Sequence, residues 1–287
     1  MALQFVRKVL VEIGLIIGAF LIFIFILGPY LWLIDNAFKD YNEIFKVPPT
    51  FIPKNPTLEI FYVVATGSGT YYGAGPWPIF LMNSVIVSLF TAIIAAFIGL
   101  LAGYALARFR FKLEYTMLMF FLLAQMFPGP VLFAPIFTIM KTLGLYNTLW
   151  GLSILYVALV LPFIVWMSTI SFRGIPPDFE EAAMVDGCTQ FKAFLKIVLP
   201  INKVMFSTLF VFAFLMAWSE FPFAHLLLRE ENKFTAVIGL GRYIRETDVY
   251  WNQMAAATVF ATIPMMILFF ALQKTLIRGL IAGALKR

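Results

Sequence analysis

One cysteine and one histidine in 287 residues leave little material for redox or metal chemistry. Cys188 has no second thiol to pair with, and His225 has no Cys/His neighbours from which a zinc-type cluster could be built. Charge is also scarce. Asp, Glu, Lys and Arg make up 13% of the chain against 62% apolar residues, and a mean hydropathy of +0.92 exceeds what one soluble core uses. The glycine-rich stretch at 67–78, GSGTYYGAGPWP, lacks the Gly-Lys-Ser/Thr ending that holds phosphate and magnesium, so nothing here binds ATP in that way. There is no His-Glu-x-x-His, no Gly-x-Ser-x-Gly and no closely spaced acidic pair within an apolar run, which disfavours an intramembrane enzyme. An ion-coupled carrier buries several ionisable residues at mid-membrane; only Glu220 and Glu12 come near, both towards helix ends. No internal repeat is long enough to argue inverted symmetry, which weakens that reading further.

What the chain has is length of apolar run. Six stretches, at about 9–34, 80–106, 115–140, 150–170, 199–228 and 254–276, are long enough to cross a bilayer as helices, giving a single all-α, polytopic membrane domain. The first exceeds a signal-peptide core and is followed by no small-residue cleavage site, so it reads as a retained helix. Six spans put both termini on one side. Of the 21 Lys and Arg residues, thirteen then fall on the side of the termini and eight on the other, which predicts cytoplasmic termini. The net charge of +6 is thus explained by basic residues flanking spans, not by nucleic acid. In the third span Pro128, Gly129, Pro130 and Pro135 predict a broken helix, tolerated at membrane depth where protein or a water-filled cavity satisfies the freed backbone. A packing kink or a helix end near the outer surface is the plainer alternative to a pathway lining.

The most informative polar stretch lies between the fourth and fifth spans, at 176–200, PPDFEEAAMVDGCTQFKAFLKIVLP. Asp178 with Glu181 three residues on has the spacing of a capping box, predicting a short helix from Phe179 to Asp186. Gly187 supplies a left-handed residue to end it. Phe191, Phe194, Leu195 and Val198 fall at i, i+3, i+4 and i+7, predicting a second helix with one apolar face at the membrane surface and Lys192, Lys196 and Lys203 on a neighbouring face.

EAAMVDG, nine further residues and IVLP have the spacing of the EAA loop of binding-protein-dependent ABC importer permeases, matched by Glu181, Ala182, Ala183, Gly187, Ile197, Leu199 and Pro200. Nearly the whole chain resembles one branch, the maltose-type carbohydrate importers, in their shorter six-helix subunit. The matching segments include NAFKDYNEIFKVPPTFIPKNPTLE, NSVIVS with YALARFRF, QMFPGPVLFAPIF with LGLYNT, and QKTLIRGLIAGALKR. Two departures stand out. Trp218-Ser219-Glu220-Phe221 replaces the family's Trp-Asn-Glu-Phe, and the chain ends Lys286-Arg287 where the family usually has glycine.

The resemblance implies the type I ABC importer transmembrane fold. It implies residence in the cell membrane of a bacterium or archaeon and a loop at 171–198 that seats on an ATP-hydrolysing subunit. The coupling residues would be Glu180, Glu181, Ala182, Ala183, Asp186, Gly187, Ile197, Leu199 and Pro200. Small alanines permit close approach, Glu181 offers a charge, and Gly187 bends the chain. An ordinary capped surface helix is the alternative on these residues alone. The implied partners are a second homologous permease, two ATP-binding subunits, an extracytoplasmic sugar-binding protein and membrane lipid. This chain itself would be no enzyme and bind no cofactor, with ATP and magnesium on the partners. The cargo would be a sugar or oligosaccharide, or a glycerol phosphate or another polyol on the same scaffold. Glu220, Trp218, Gln125 and Pro128 are the candidate pathway or gate residues; hydrogen bonding between helices is the commoner use of such groups, Asn83 included.

Overall fold

The computed structural model of the protein describes residues 2–67, 75–109, 112–244 and 248–284. Arg110, Lys286 and Arg287, assigned above to the basic turn and the tail, lie outside them. In chain order the helices are α1 (Ala2–Ala37), α2 (Tyr41–Ile44), α3 (Glu59–Thr66), α4 (Trp77–Arg108) and α5 (Glu114–Ala124). A 3₁₀ turn (Gly129–Leu132) leads to α6 (Phe133–Thr142), followed by α7 (Leu149–Arg173), α8 (Asp178–Val185) and α9 (Gln190–Ala193). A π-turn (Phe194–Val198) then leads to α10 (Leu199–Ile201), α11 (Lys203–Ser219), α12 (Pro222–Leu227), α13 (Ala236–Gly241) and α14 (Trp251–Ala284). No strand occurs among the described residues, only one isolated bridge between Ile244 and Val249. That is what lipid demands: a helix satisfies every backbone N–H and C=O within its own segment.

Among the described residues four helices are long and apolar enough to cross a membrane, Leu10–Ala37, Trp77–Arg108, Leu149–Arg173 and Trp251–Thr275, and there are six if each of two bent pairs is one span. The first bent pair replaces the stretch at 115–140. Its halves, Glu114–Ala124 and Gly129–Thr142, meet at 97°, and the break falls where the prolines and Gly129 were expected to put it. Pro128 is extended, with ψ 128, and cannot donate to the preceding turn. The second pair, Gln190–Ile201 and Lys203–Ser219, meets at 79° around Asn202. The apolar run at 199–228 is therefore not one helix either; it bends at Asn202 and breaks again at Glu220.

By its contacts the chain divides into two units. One runs up to Trp77 and takes in Leu240–Phe260. Lys39 is buried there, paired with Asp35, donating to Thr50 O at 2.6 Å and lying 4.4 Å over the Trp32 ring, so the buried cation is fully engaged. Glu43 accepts from Lys54 N and Thr50 Oγ1, each at 3.0 Å, and the Lys54 bond leads in holding its carboxyl below the usual range. Tyr41 donates to Asp248, a bond that pushes its phenol up to about 12.

The other unit runs from Pro78 to Gly239 and continues from Ala261. Its core joins Leu100, Tyr104, Ile164, Phe172, Phe194 and Phe214. Here α4 and α7 meet through small residues. A Cβ on Gly99 would stand 2.4 Å from Ile164 Cγ2, and one on Gly103 would stand 2.0 Å from Ser168 Oγ. Ser168 Oγ donates to Gly99 O at 2.8 Å, so close approach and an interhelical hydrogen bond come together.

Candidate functional site

The loop at 171–198 forms two short helices joined at Gly187. The first, α8, starts one residue earlier than the capping box predicts. Pro177 is the N-cap, its carbonyl taking Glu180 N at 2.9 Å and Glu181 N at 3.1 Å, and no side chain caps the end. Pro177 already holds a helical conformation (φ −64, ψ −20), which draws Asp178 into the first turn and takes its carboxylate out of capping position. Asp178, Glu180 and Glu181 instead place negative charge at the positive end of the helix dipole. The C-terminus closes as expected. Gly187 has φ +87, its N–H donates to Met184 O and the Cys188 N–H to Ala183 O, each at 3.0 Å, completing a Schellman motif.

The second helix departs from its predicted face. Phe194 and Val198 are buried, but Phe191 is 61% and Leu195 45% exposed. Leu199 N bonds back to Phe194 O, five residues away, so a π-turn runs through this set, while the Phe191 and Phe194 rings remain 6.3 Å apart. The result is an exposed apolar surface around the loop: Phe179, Met184, Val185, Phe191 and Leu195. Lys192, Lys196 and Lys203 are exposed as expected.

The nine candidate coupling residues divide by direction. Glu181, Ala182, Asp186, Gly187 and Pro200 are exposed, and Ala182, Asp186 and Ile197 line a cleft of about 550 Å³ together with Phe179. Ala183 is buried, and Leu199 packs against the core. Glu180 turns inward. It is 3% exposed, its Oε1 accepting from Arg108 Nε at 2.5 Å and its Oε2 from Tyr104 Oη at 2.5 Å. Sequence reasoning saw Arg108 only as a flank of a span. The available signal was a Tyr and an Arg four residues apart at the end of an apolar run, on one face of a helix.

The pathway candidates do not all come together. Gln125 lies at the break after α5, donating from Nε2 to Leu159 O at 2.9 Å, and lines a cavity of about 300 Å³ with Phe127, Pro162, Phe163 and Phe212. Pro128 sits at the same break as the N-cap of the 3₁₀ turn. Trp218 is buried and stacked on Phe214, with ring centroids 5.5 Å apart. Glu220 accepts from Phe223 N at 2.9 Å, Ala224 N at 3.1 Å and Tyr156 Oη at 2.5 Å, so its carboxylate starts α12 and ties it to α7. Asn83 is likewise committed, donating to Asn232 O at 2.9 Å and Phe234 O at 3.0 Å.

Comparison with known proteins agrees with this architecture. A family model described as "Binding-protein-dependent transport system inner membrane component" matches residues 95–282. The chain is 32% identical over 280 residues to the inner membrane ABC transporter permease protein YcjP of Escherichia coli, covering 98% of each chain. It is 33% identical over 282 residues to the trehalose/maltose transport system permease protein MalG of Thermococcus litoralis, covering 98% of this chain and 99% of that one. It is 31% identical over 270 residues to the diacetylchitobiose uptake system permease protein DasC of Streptomyces coelicolor, covering 94% and 95%. A solved structure of a bacterial ABC transporter involved in import of the acidic polysaccharide alginate contains a chain of the same fold. Its TM-score is 0.74 at 21% identity, with 92% of this chain and 96% of that one covered. The helices, the loop and these likenesses lead to one conclusion: the chain belongs to the family of inner membrane components of binding-protein-dependent transport systems, as a multi-pass membrane permease.

Proposed function

We propose that this chain is one permease subunit of an ATP-driven importer. It pairs with a second homologous permease, is moved by two ATP-binding subunits docked on α8, and receives a sugar or oligosaccharide from an extracytoplasmic binding protein. The observation that carries the reading is the form of α8. Glu181, Ala182 and Gly187 stand exposed at a small-faced tip, beside a cleft and an apolar surface, and a Cβ on Gly187 would meet nothing within 4 Å. A short, capped helix with small residues outward suits a groove on another protein, because its backbone approaches the partner closely. Hydrolysis of ATP belongs to the partners in this reading, and both termini lie with α8 in the cytoplasm, which the basic excess on that side supports. The sugars named for two of the relatives support the cargo class.

The cavity at the α5 break supports a pathway role for Gln125 and Pro128. Aromatic rings bind the C–H faces of sugars while an amide binds hydroxyls, and a broken helix beside a cavity is the usual place for exposed backbone at membrane depth. Glu220 and Trp218 serve packing.

Reconstitution with the cognate ATPase and binding protein tests the reading. Uptake of a labelled glucoside oligosaccharide should require ATP, and Gly187→Pro should abolish it or disassemble the complex. Uptake that persists without ATP would sink the proposal.

A further inference from the structure

Adjacent glutamates Glu180 and Glu181 do opposite things. Glu181 is exposed, whereas Glu180 is buried with both oxygens occupied by groups of α4. Arg108 does more than pair with it, since its Nη2 also donates to Ile175 O at 2.9 Å, in the linker between α7 and α8. Tyr104 does more as well. Its ring meets Phe172 edge-on at 5.7 Å and Phe194 at 4.4 Å, so one side chain touches the end of α7, α8 and the π-turn that follows. Next to Tyr104 in the chain, Gly103 lies against Ser168 of α7 with no room for a Cβ.

We infer that Tyr104 and Arg108 are positioning residues that clamp Glu180, so that α8 and the last turns of α4 move as one body when a partner pushes on the exposed face of α8. The inference rests on the reading of α8 as the ATPase docking helix. Its physical basis is asymmetry of cost. Opening the clamp would strand a buried carboxylate and a largely buried guanidinium, and an uncompensated buried charge is far more costly than a lost surface contact. Among the described residues, neither the bend at Asn202 nor the α5 break carries such an ion pair. Displacement of α8 is therefore delivered into α4, and through the Gly99–Gly103 contact into α7.

The test uses the complete importer in proteoliposomes, reading ATP hydrolysed per oligosaccharide taken up. Glu180→Gln should raise that ratio about tenfold with the subunit still assembled, the scale at which a coupling contact acts. Arg108→Cys with Glu180→Cys, on a Cys188→Ser background, should be uncoupled when reduced and regain coupling when the two thiols are joined by a short bifunctional reagent. A merely structural role would not respond to that covalent bridge. The clamp is overturned if Glu180→Gln keeps the wild-type ratio, or if the bridge fails to restore coupling or stops uptake. Should Glu180→Gln not assemble, the bridged pair decides. A wild-type complex whose uptake ignores ATP would instead remove the docking reading itself, and the clamp with it.

Discussion

Gly103 and Ser168 meet at a distance that excludes any side chain on the glycine: a Cβ there would stand 2.0 Å from Ser168 Oγ and 2.9 Å from Thr169 N. Because Thr169 N is backbone, α7 must shift to admit it. Gly103→Ala should destabilise the protein by about 1–3 kcal/mol, the cost of overpacking a fitted contact. Adding Ser168→Gly should return part of that loss, since it removes the nearer obstacle and leaves the amide. Thermal unfolding in detergent checks both, and full tolerance of Gly103→Ala would contradict the contact.

Gly187 presents the reverse case. Nothing lies within 4 Å of its Cβ position, but its φ of +87 is a conformation L-residues avoid. Gly187→Ala should therefore cost about 1–2 kcal/mol through backbone strain alone. Gly187→Asn should cost less, since Asn tolerates the left-handed region. Equal losses for the two would point to a steric cause that the structure does not contain.

Glu220 is held by three donors, and two of them are the N–H groups that begin α12. Glu220→Ala leaves those groups without their acceptor and should lower stability by about 1–3 kcal/mol. Glu220→Gln keeps one acceptor oxygen and should lose clearly less. Chemical denaturation of the purified subunit separates the two, and an alanine variant as stable as wild type would argue for an exposed carboxylate.

Glu43 gives a pH dependence whose sign follows from its environment. The Lys54 amide, with the Thr50 hydroxyl, holds its folded value below the ordinary 4.5. The stability it contributes is then fully present above 4.5 and is lost as pH falls through the lower folded value. Wild type should be more stable than Glu43→Gln at neutral pH, with the gap closing in acid below that folded value. Melting curves across that range check it; a gap that widens in acid would reverse the assignment.

Much of this was legible in the sequence, for reasons tied to particular residues. The prolines from Pro128 to Pro135 announced the broken third span because a proline removes a donor wherever it stands. Gly187 announced the end of α8 because a left-handed residue after two turns is a local requirement. The capping box at Asp178 failed because Pro177 had already entered the helix, a difference of one residue that spacing does not resolve. The division of the apolar set, Phe194 and Val198 inward and Phe191 and Leu195 exposed, was not legible because a π-turn interrupts the regular helical period there.

By itself, then, the sequence determined the membrane class and the position of the polar loop between the fourth and fifth spans. Apolar run length and glycine and proline chemistry act locally and leave their mark in the linear order. Only the tertiary structure decided that Glu180 faces inward and Glu181 outward, that Glu220 is tied to α7, and that Gly103 meets Ser168. Each of those depends on a partner many residues away, Tyr104 and Arg108 for Glu180, Tyr156 for Glu220, and a carboxylate reads the same in a sequence whether water or a buried guanidinium satisfies it.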